Sequence, residues 1–163
     1  MDSKQLFQAL VNNPTTNKDF DGIFSKDTLE DIVAKPTLII CNTDPSSKPG
    51  EHWLLFYFEN DVVDFFDSLG KHLSEYGKPF VKFVKKFSKK MNECKIRTQP
   101  KGTNVCGAYC LFYAMLRVNK YPMGKIVHSL SEMSCVDVLK CVEDNFQFCE
   151  NVKCSLLQSC TEH

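Results

Sequence analysis

Four side chains, His52, Asp67, Gln99 and Cys106, occur in this order along a chain of 163 residues. Together they could perform thiol-nucleophile chemistry. Such a cysteine needs a base to take its proton, a group to orient that base, and donors for an oxyanion. Cys106 closes the polar loop QPKGTNV and opens the apolar run CGAYCLFYAM. A merely structural cysteine could stand anywhere along that run. At the first turn of a buried helix it lies in the positive field of the helix N-terminus, which favours a thiolate.

His52 follows the Gly50-Glu51 turn and begins the apolar segment HWLLFYF, so a strand can aim it. His72 follows a turn, His128 falls in an outer helix and His163 is terminal, which makes them weaker bases. Asp67, in FFDSLG, ends the strand expected to pair with the His52 strand, and Asp64 is its rival. Strand alternation sends these two carboxylates to opposite faces, so only one can orient His52. Gln99 stands seven residues before Cys106, and its amide could join the Cys106 backbone N–H in holding an oxyanion. Taken singly, these are an ordinary strand-end histidine, a turn-capping aspartate and a loop glutamine. Their combination is what points to chemistry.

The elements that must position them are legible in outline. Ser3 can cap a first helix carrying Leu6, Phe7, Leu10 and Val11 on one face. Residues Asn12 to Phe20 read as a loop, and Ser25 to Val33 as a short helix. TLIICN (Thr37–Asn42), His52–Phe58 and Val62–Asp67 read as strands, the last two joined by a hairpin at END. Pro79–Met91 reads as an amphipathic helix with Phe80, Phe83, Val84 and Phe87 on its apolar face. Asn92–Gln99 reads as a strand, and Asn104–Val118 as a central helix, apolar nearly all round. Met123–Leu130 and Ser134–Asn145 read as outer helices, and the tail after Lys153 is weakly patterned. There is no repeat or linker, so one α+β domain over residues 1–163 is expected.

Composition narrows the setting. Lys plus Arg equals Asp plus Glu at 20 each, so overall charge selects no partner. The nine cysteines show no paired knuckles, so structural zinc is not expected. The opening MDSKQLFQAL lacks a basic segment followed by an apolar one, and no segment reaches the roughly 18 apolar residues of a membrane span. The expectation is an intracellular (nuclear or cytoplasmic) or virion-packaged protein, not a secreted one, with reduced thiols.

The segments GEHWLLFYF, DFFDSLG, Gln99 and NVCGAYC, in that order, resemble the adenovirus-protease (adenain) family and its relatives, the SUMO-specific (Ulp-type) cysteine proteases. GIFSKDTL and LIICNTDPSSKPGEHW extend the resemblance on the viral side, so it covers roughly Gly22 to Val118. The chain departs from the adenovirus enzyme in having Asp at position 67, as SUMO proteases do, and in the loop PKGTNV. The resemblance implies a small mixed sheet packed on a central buried helix that starts at the nucleophile. It implies a Cys106–His52–Asp67 triad, a Gln99 oxyanion donor, and Trp53 packed beside the histidine. Gly107 would permit close approach at the helix start. The implied substrate is an extended protein segment with a small residue, often Gly, before the cut.

The adenovirus enzyme is aided by DNA and by a short peptide that adds to its sheet. Lys78, Lys82, Lys85, Lys86, Lys89 and Lys90 form the one strong basic cluster and could track phosphates, or simply face solvent. Cys94 is better read as a buried strand cysteine than as a peptide-linked one. Three functions are then open: a viral-type processing endopeptidase, a protease for SUMO or ubiquitin-like modifiers, and a non-catalytic peptide- or nucleic-acid-binding relative. The intact quartet favours an enzyme, and the short chain favours the first.

Overall fold

The computed structural model describes residues 1–32 and 34–148. The strands are β1 (Phe20–Phe24), β2 (Thr37–Asn42), β3 (Trp53–Glu59), β4 (Val62–Phe66) and β5 (Lys90–Glu93). The helices are α1 (Ser3–Asn12), α2 (Lys78–Phe87), α3 (Cys106–Val118), α4 (Met123–Glu132) and α5 (Cys135–Asn145). The strands form one sheet in the order β1-β2-β3-β4-β5. The three central strands are an antiparallel meander, and a parallel strand closes each edge. The α+β class expected from the sequence is the one observed.

Alternation along the strands divides the apolar residues between two cores. Leu38, Ile40, Leu55, Tyr57 and Phe66 face α3, with α1, α4 and α5 around it. Ile39, Cys41, Leu54, Phe56, Phe58, Val63 and Phe65 face α2. Both faces are covered, which is why β2 reads as an uninterrupted apolar run. The second core is largely aromatic: the Phe56 ring lies 5.2 Å from Phe65 and 6.1 Å from Phe80, and Phe58 meets Phe83 edge-on at 5.6 Å. α3 is buried along most of its length, as a central helix requires. No helix among the described residues is long and apolar enough to cross a membrane.

Several local expectations are corrected. Asp2, not Ser3, caps α1, through a reciprocal pair with Gln5 at 2.8 Å in each direction. Phe7 is 48% exposed and turns its edge to Phe20. The expected loop before Phe20 contains a 3₁₀ turn at Thr16–Lys18, and β1 follows it. No helix forms over residues 25–32. The Thr28 hydroxyl accepts from the Ser25 N–H, and the Asp27 carboxylate accepts from the Ser46 N–H and hydroxyl. These side chains draw the backbone away from helical bonding. Val33, the end of that expected helix, and the tail after Lys153 lie outside the described residues.

α2 stops at Phe87 because Ser88 turns extended and donates its hydroxyl to the Val84 carbonyl. The chain then pairs with β4 from Lys90, so the expected strand at 92–99 shrinks to β5 and begins earlier. Cys94, just beyond β5, is buried and donates its thiol to the Ile96 carbonyl. Cys135 is disulfide-bonded, contrary to the expectation of uniformly reduced thiols.

A buried ionic cluster clamps α3 to the sheet. Asp64 accepts from Arg117 Nε at 2.6 Å, from the Tyr113 hydroxyl at 3.2 Å and from Asn92 Nδ2 at 2.8 Å. Arg117 also reaches Glu59 and lies over the Tyr57 ring. Removing one partner of such a pair leaves a buried charge uncompensated. Asp64→Ala is therefore expected to lower folding stability by about 3–5 kcal/mol, measured by urea unfolding.

Candidate active site

The elements deliver three of the four residues to one place by their ends. His52 immediately precedes β3, and its carbonyl accepts from the Thr43 N–H. Asp67 immediately follows β4, and Cys106 is the first residue of α3. All three are buried: 8% exposed for His52, 0% for Asp67 and 4% for Cys106. The strand pairing expected from the hairpin is what brings His52 and Asp67 together.

His52 Nε2 lies 2.6 Å from Asp67 Oδ1. That carboxylate is saturated. Oδ1 also accepts from the Leu69 N–H at 2.9 Å, and Oδ2 accepts from the Lys71 N–H at 3.0 Å and the Tyr76 hydroxyl at 2.7 Å. Burial pushes the Asp67 pKa up, but these bonds and the histidine charge outweigh it and hold the carboxyl below its ordinary value. Asp64 belongs to the α3 cluster instead, so the choice between the two carboxylates falls on Asp67 as the partner of His52. Because Nε2 is committed to Asp67, Nδ1 is the ring nitrogen left for another partner, and Cys106 lines the same cleft as His52.

The charges follow from this line of contacts. Burial lowers the His52 pKa, but hydrogen bonds to Asp67 and Cys106, with their charges, raise it overall to about 9. Burial raises the Cys106 pKa, but the hydrogen bond and charge of His52, with backbone bonds at Trp53 and Gly107, bring it below its ordinary value. Burial pushes the other described free thiols, Cys41, Cys94, Cys110 and Cys141, the opposite way. Cys106 is thus the one thiol in that group biased toward ionisation.

Gln99 is 4% exposed and tied to the Asp67 turn. Its Oε1 accepts from the Ser68 hydroxyl at 2.8 Å, and its backbone N–H donates to the Ser68 carbonyl at 3.0 Å. Nε2 donates to the Thr103 carbonyl at 2.6 Å, which leaves the second N–H of the amide for another acceptor. Gly70 is why this packing is possible. Its φ is +69°, and a Cβ there would stand 2.6 Å from the backbone of Ile96 and Arg97.

Tyr76 was not singled out by the sequence. Its ring stacks on His52 at 6.0 Å and 22°, besides bonding Asp67. An aromatic residue in an otherwise polar turn between Asp67 and α2 was the available signal. Trp53 directs its indole N–H to the Met1 carbonyl at 3.1 Å. At Gly107 the group that approaches closely is the side chain of Met1. The six lysines are all exposed; Lys86 pairs with Asp31 at 2.6 Å and Lys89 with Asp61 at 2.7 Å. Lys78, Lys82, Lys85 and Lys86 lie on α2, Lys90 opens β5 and Lys89 stands between the two elements.

Two clefts meet at Cys106 and share Glu51 and Asn104. One, of about 420 Å³, holds His52, Tyr76 and Gln99. The other, of about 640 Å³, runs past Trp53 toward Met1 and the loop at 42–50. Another cavity, about 910 Å³, lies between β5 and α4 and touches none of the four residues. The perturbed thiol–imidazole pair assigns the candidate site to the two smaller clefts.

Neither a family model nor a curated protein matches the sequence. Among solved structures, the crystal structure of the ASFV pS273R protease superposes with a TM-score of 0.55 at 17% identity. The match covers 86% of this chain and 66% of that one, so the chain spans about two thirds of its neighbour's length. The likeness is one of fold.

The pKa directions fix a pH profile. A thiolate–imidazolium pair exists above the lowered Cys106 pKa and below about 9, where His52 loses its proton. Iodoacetamide should alkylate Cys106 ahead of Cys41, Cys94, Cys110 and Cys141 below about pH 8, mapped by mass spectrometry. In His52→Ala the onset should move up to or beyond the ordinary thiol range of about 8.5, because the burial of Cys106 then lacks its main compensation.

Proposed function

We propose that this chain is a cysteine endopeptidase of viral-processing type that cuts protein precursors. The observation that carries this reading is the buried Asp67–His52 hydrogen bond on the same cleft as Cys106, with that thiol at the first turn of α3 and lining two clefts. The fold shared with a protease supports it.

In this reading the Cys106 thiolate attacks the scissile carbonyl carbon. The resulting oxyanion accepts hydrogen bonds from the Cys106 backbone N–H and the uncommitted N–H of Gln99. His52 donates its Nδ1 proton to the leaving amine, and a thioester remains on Cys106. Water, deprotonated by His52, attacks that thioester and releases the acid. Asp67 keeps the imidazole ring oriented and stabilises its charged form throughout. The substrate is an extended segment with a small residue, such as Gly, before the cut.

Two accessory partners belong to the same proposal. An activating peptide would add to the open edge of β5. Met91 and Glu93 line a cavity on each side of that strand, so an added strand's alternating side chains would meet a groove on either face. DNA would follow Lys78, Lys82, Lys85 and Lys90, with Lys86 and Lys89 exchanging their carboxylate partners for phosphate.

The test is hydrolysis of a Gly-containing fluorogenic peptide library. Cys106→Ala is expected to abolish turnover, and Gln99→Ala to lower kcat by about 10²–10³. Turnover that survives in Cys106→Ala would refute the assignment. DNA stimulation should weaken as salt rises, with a log–log slope that falls by about 0.9 for each phosphate-contacting lysine changed to glutamate.

A further inference from the structure

The start of α1 stands beside the nucleophile, and its contacts there are specific. The Met1 carbonyl accepts from Trp53 Nε1 at 3.1 Å. Its side chain folds over Gly107, where an added Cβ would lie 3.2 Å from Met1 Cβ and 3.3 Å from Met1 Sδ. Trp53 thus fixes the backbone of Met1, and the bare Cα of Gly107 provides the seat for its side chain. The capping pair of Asp2 and Gln5 fixes the turn that follows. Leu6, Ala9 and Leu10 anchor α1 in the α3 core, so this arrangement is part of the packed fold.

Met1 is only half-buried, and its remaining surface lines the cleft of about 640 Å³ that ends at Cys106. Asn42, Glu51 and Asn104 make part of that cleft's wall polar, and Ile23, Phe24 and Trp53 share its apolar part with Met1. The Met1 thioether is the part of that apolar lining seated on the residue that follows Cys106. Thioethers fill irregular space well and yield when pressed.

We propose that Met1 is a specificity-determining residue: it walls the subsite that adjoins the scissile bond and admits only small substrate side chains. This rests on the endopeptidase reading and supplies a physical cause for its small-residue preference. The close approach at Gly107 then serves the wall as well as the helix start. A larger residue at 107 would displace Met1 from its seat.

The test compares iodoacetamide with the bulkier N-benzyl-iodoacetamide as probes of Cys106, with the modified site mapped by mass spectrometry. Residue 1 is varied by expressing the full chain behind a fusion whose cleavage leaves the chosen residue. In Met1→Ala the rate ratio should move toward the benzyl probe by on the order of tenfold, the scale of a pocket that gains a few methylenes of space. Met1→Leu should keep the original ratio, which separates wall from fold. An unchanged ratio in Met1→Ala, with Cys106 still the fastest thiol, overturns this inference and leaves the endopeptidase reading standing. A Cys106 no faster than Cys41 or Cys110 in the unaltered chain overturns both.

Discussion

The site depends on one buried carboxylate that has no unmet acceptor. Asp67 accepts from His52, Tyr76 and two backbone N–H groups. A carboxylate taken out of water is tolerable only when so satisfied. Its two backbone donors come from the turn that Gly70 permits, and the same turn holds Gln99 through Ser68. The carboxylate bonded to His52 and the Gln99 amide are therefore both tied to one short turn. Neither can shift without carrying the other.

A second carboxylate, three residues earlier, does different work with the same physics. Asp64 lies inside β4 on the α3 face and is satisfied by Arg117, Tyr113 and Asn92. It joins the C-terminal half of α3 to β4 and β5, whereas Asp67 bonds His52 beside the start of α3. The nucleophile helix is thus held at two points on the sheet, which fixes both its position and its rotation. The apolar face around it could supply the position, but only directional bonds supply the rotation.

The elements around the site were legible because each has a strong local signature. Short, nearly uninterrupted apolar runs bounded by turns mark β2, β3 and β4, and the change from QPKGTNV to an apolar run marks the start of α3. The meeting of His52 with Asp67 followed from hairpin register. What escaped were features decided by distant partners. β1 is short, contains Asp21 and Gly22, and becomes a strand by pairing with β2. The helix expected after Ser25 is lost to side-chain bonds reaching Ser46, 19 residues away. Tyr76 and Met1 carry no pattern of their own, since their roles are set by the residues the fold places beside them.

The buried thiols around Cys106 have a chemical consequence. Cys110 lies one helical turn away, with its sulfur on the Trp53 carbonyl, and Cys41 is enclosed in the sheet. Burial keeps both protonated, and a protonated thiol reacts poorly with peroxide. Among the described free cysteines, Cys106 is the one biased toward the thiolate that an oxidant entering the clefts would meet. Under the proposed function, mild oxidation would fall on the nucleophile before the sulfur atoms of the core, and a reductant that reaches the sulfenic acid would restore it.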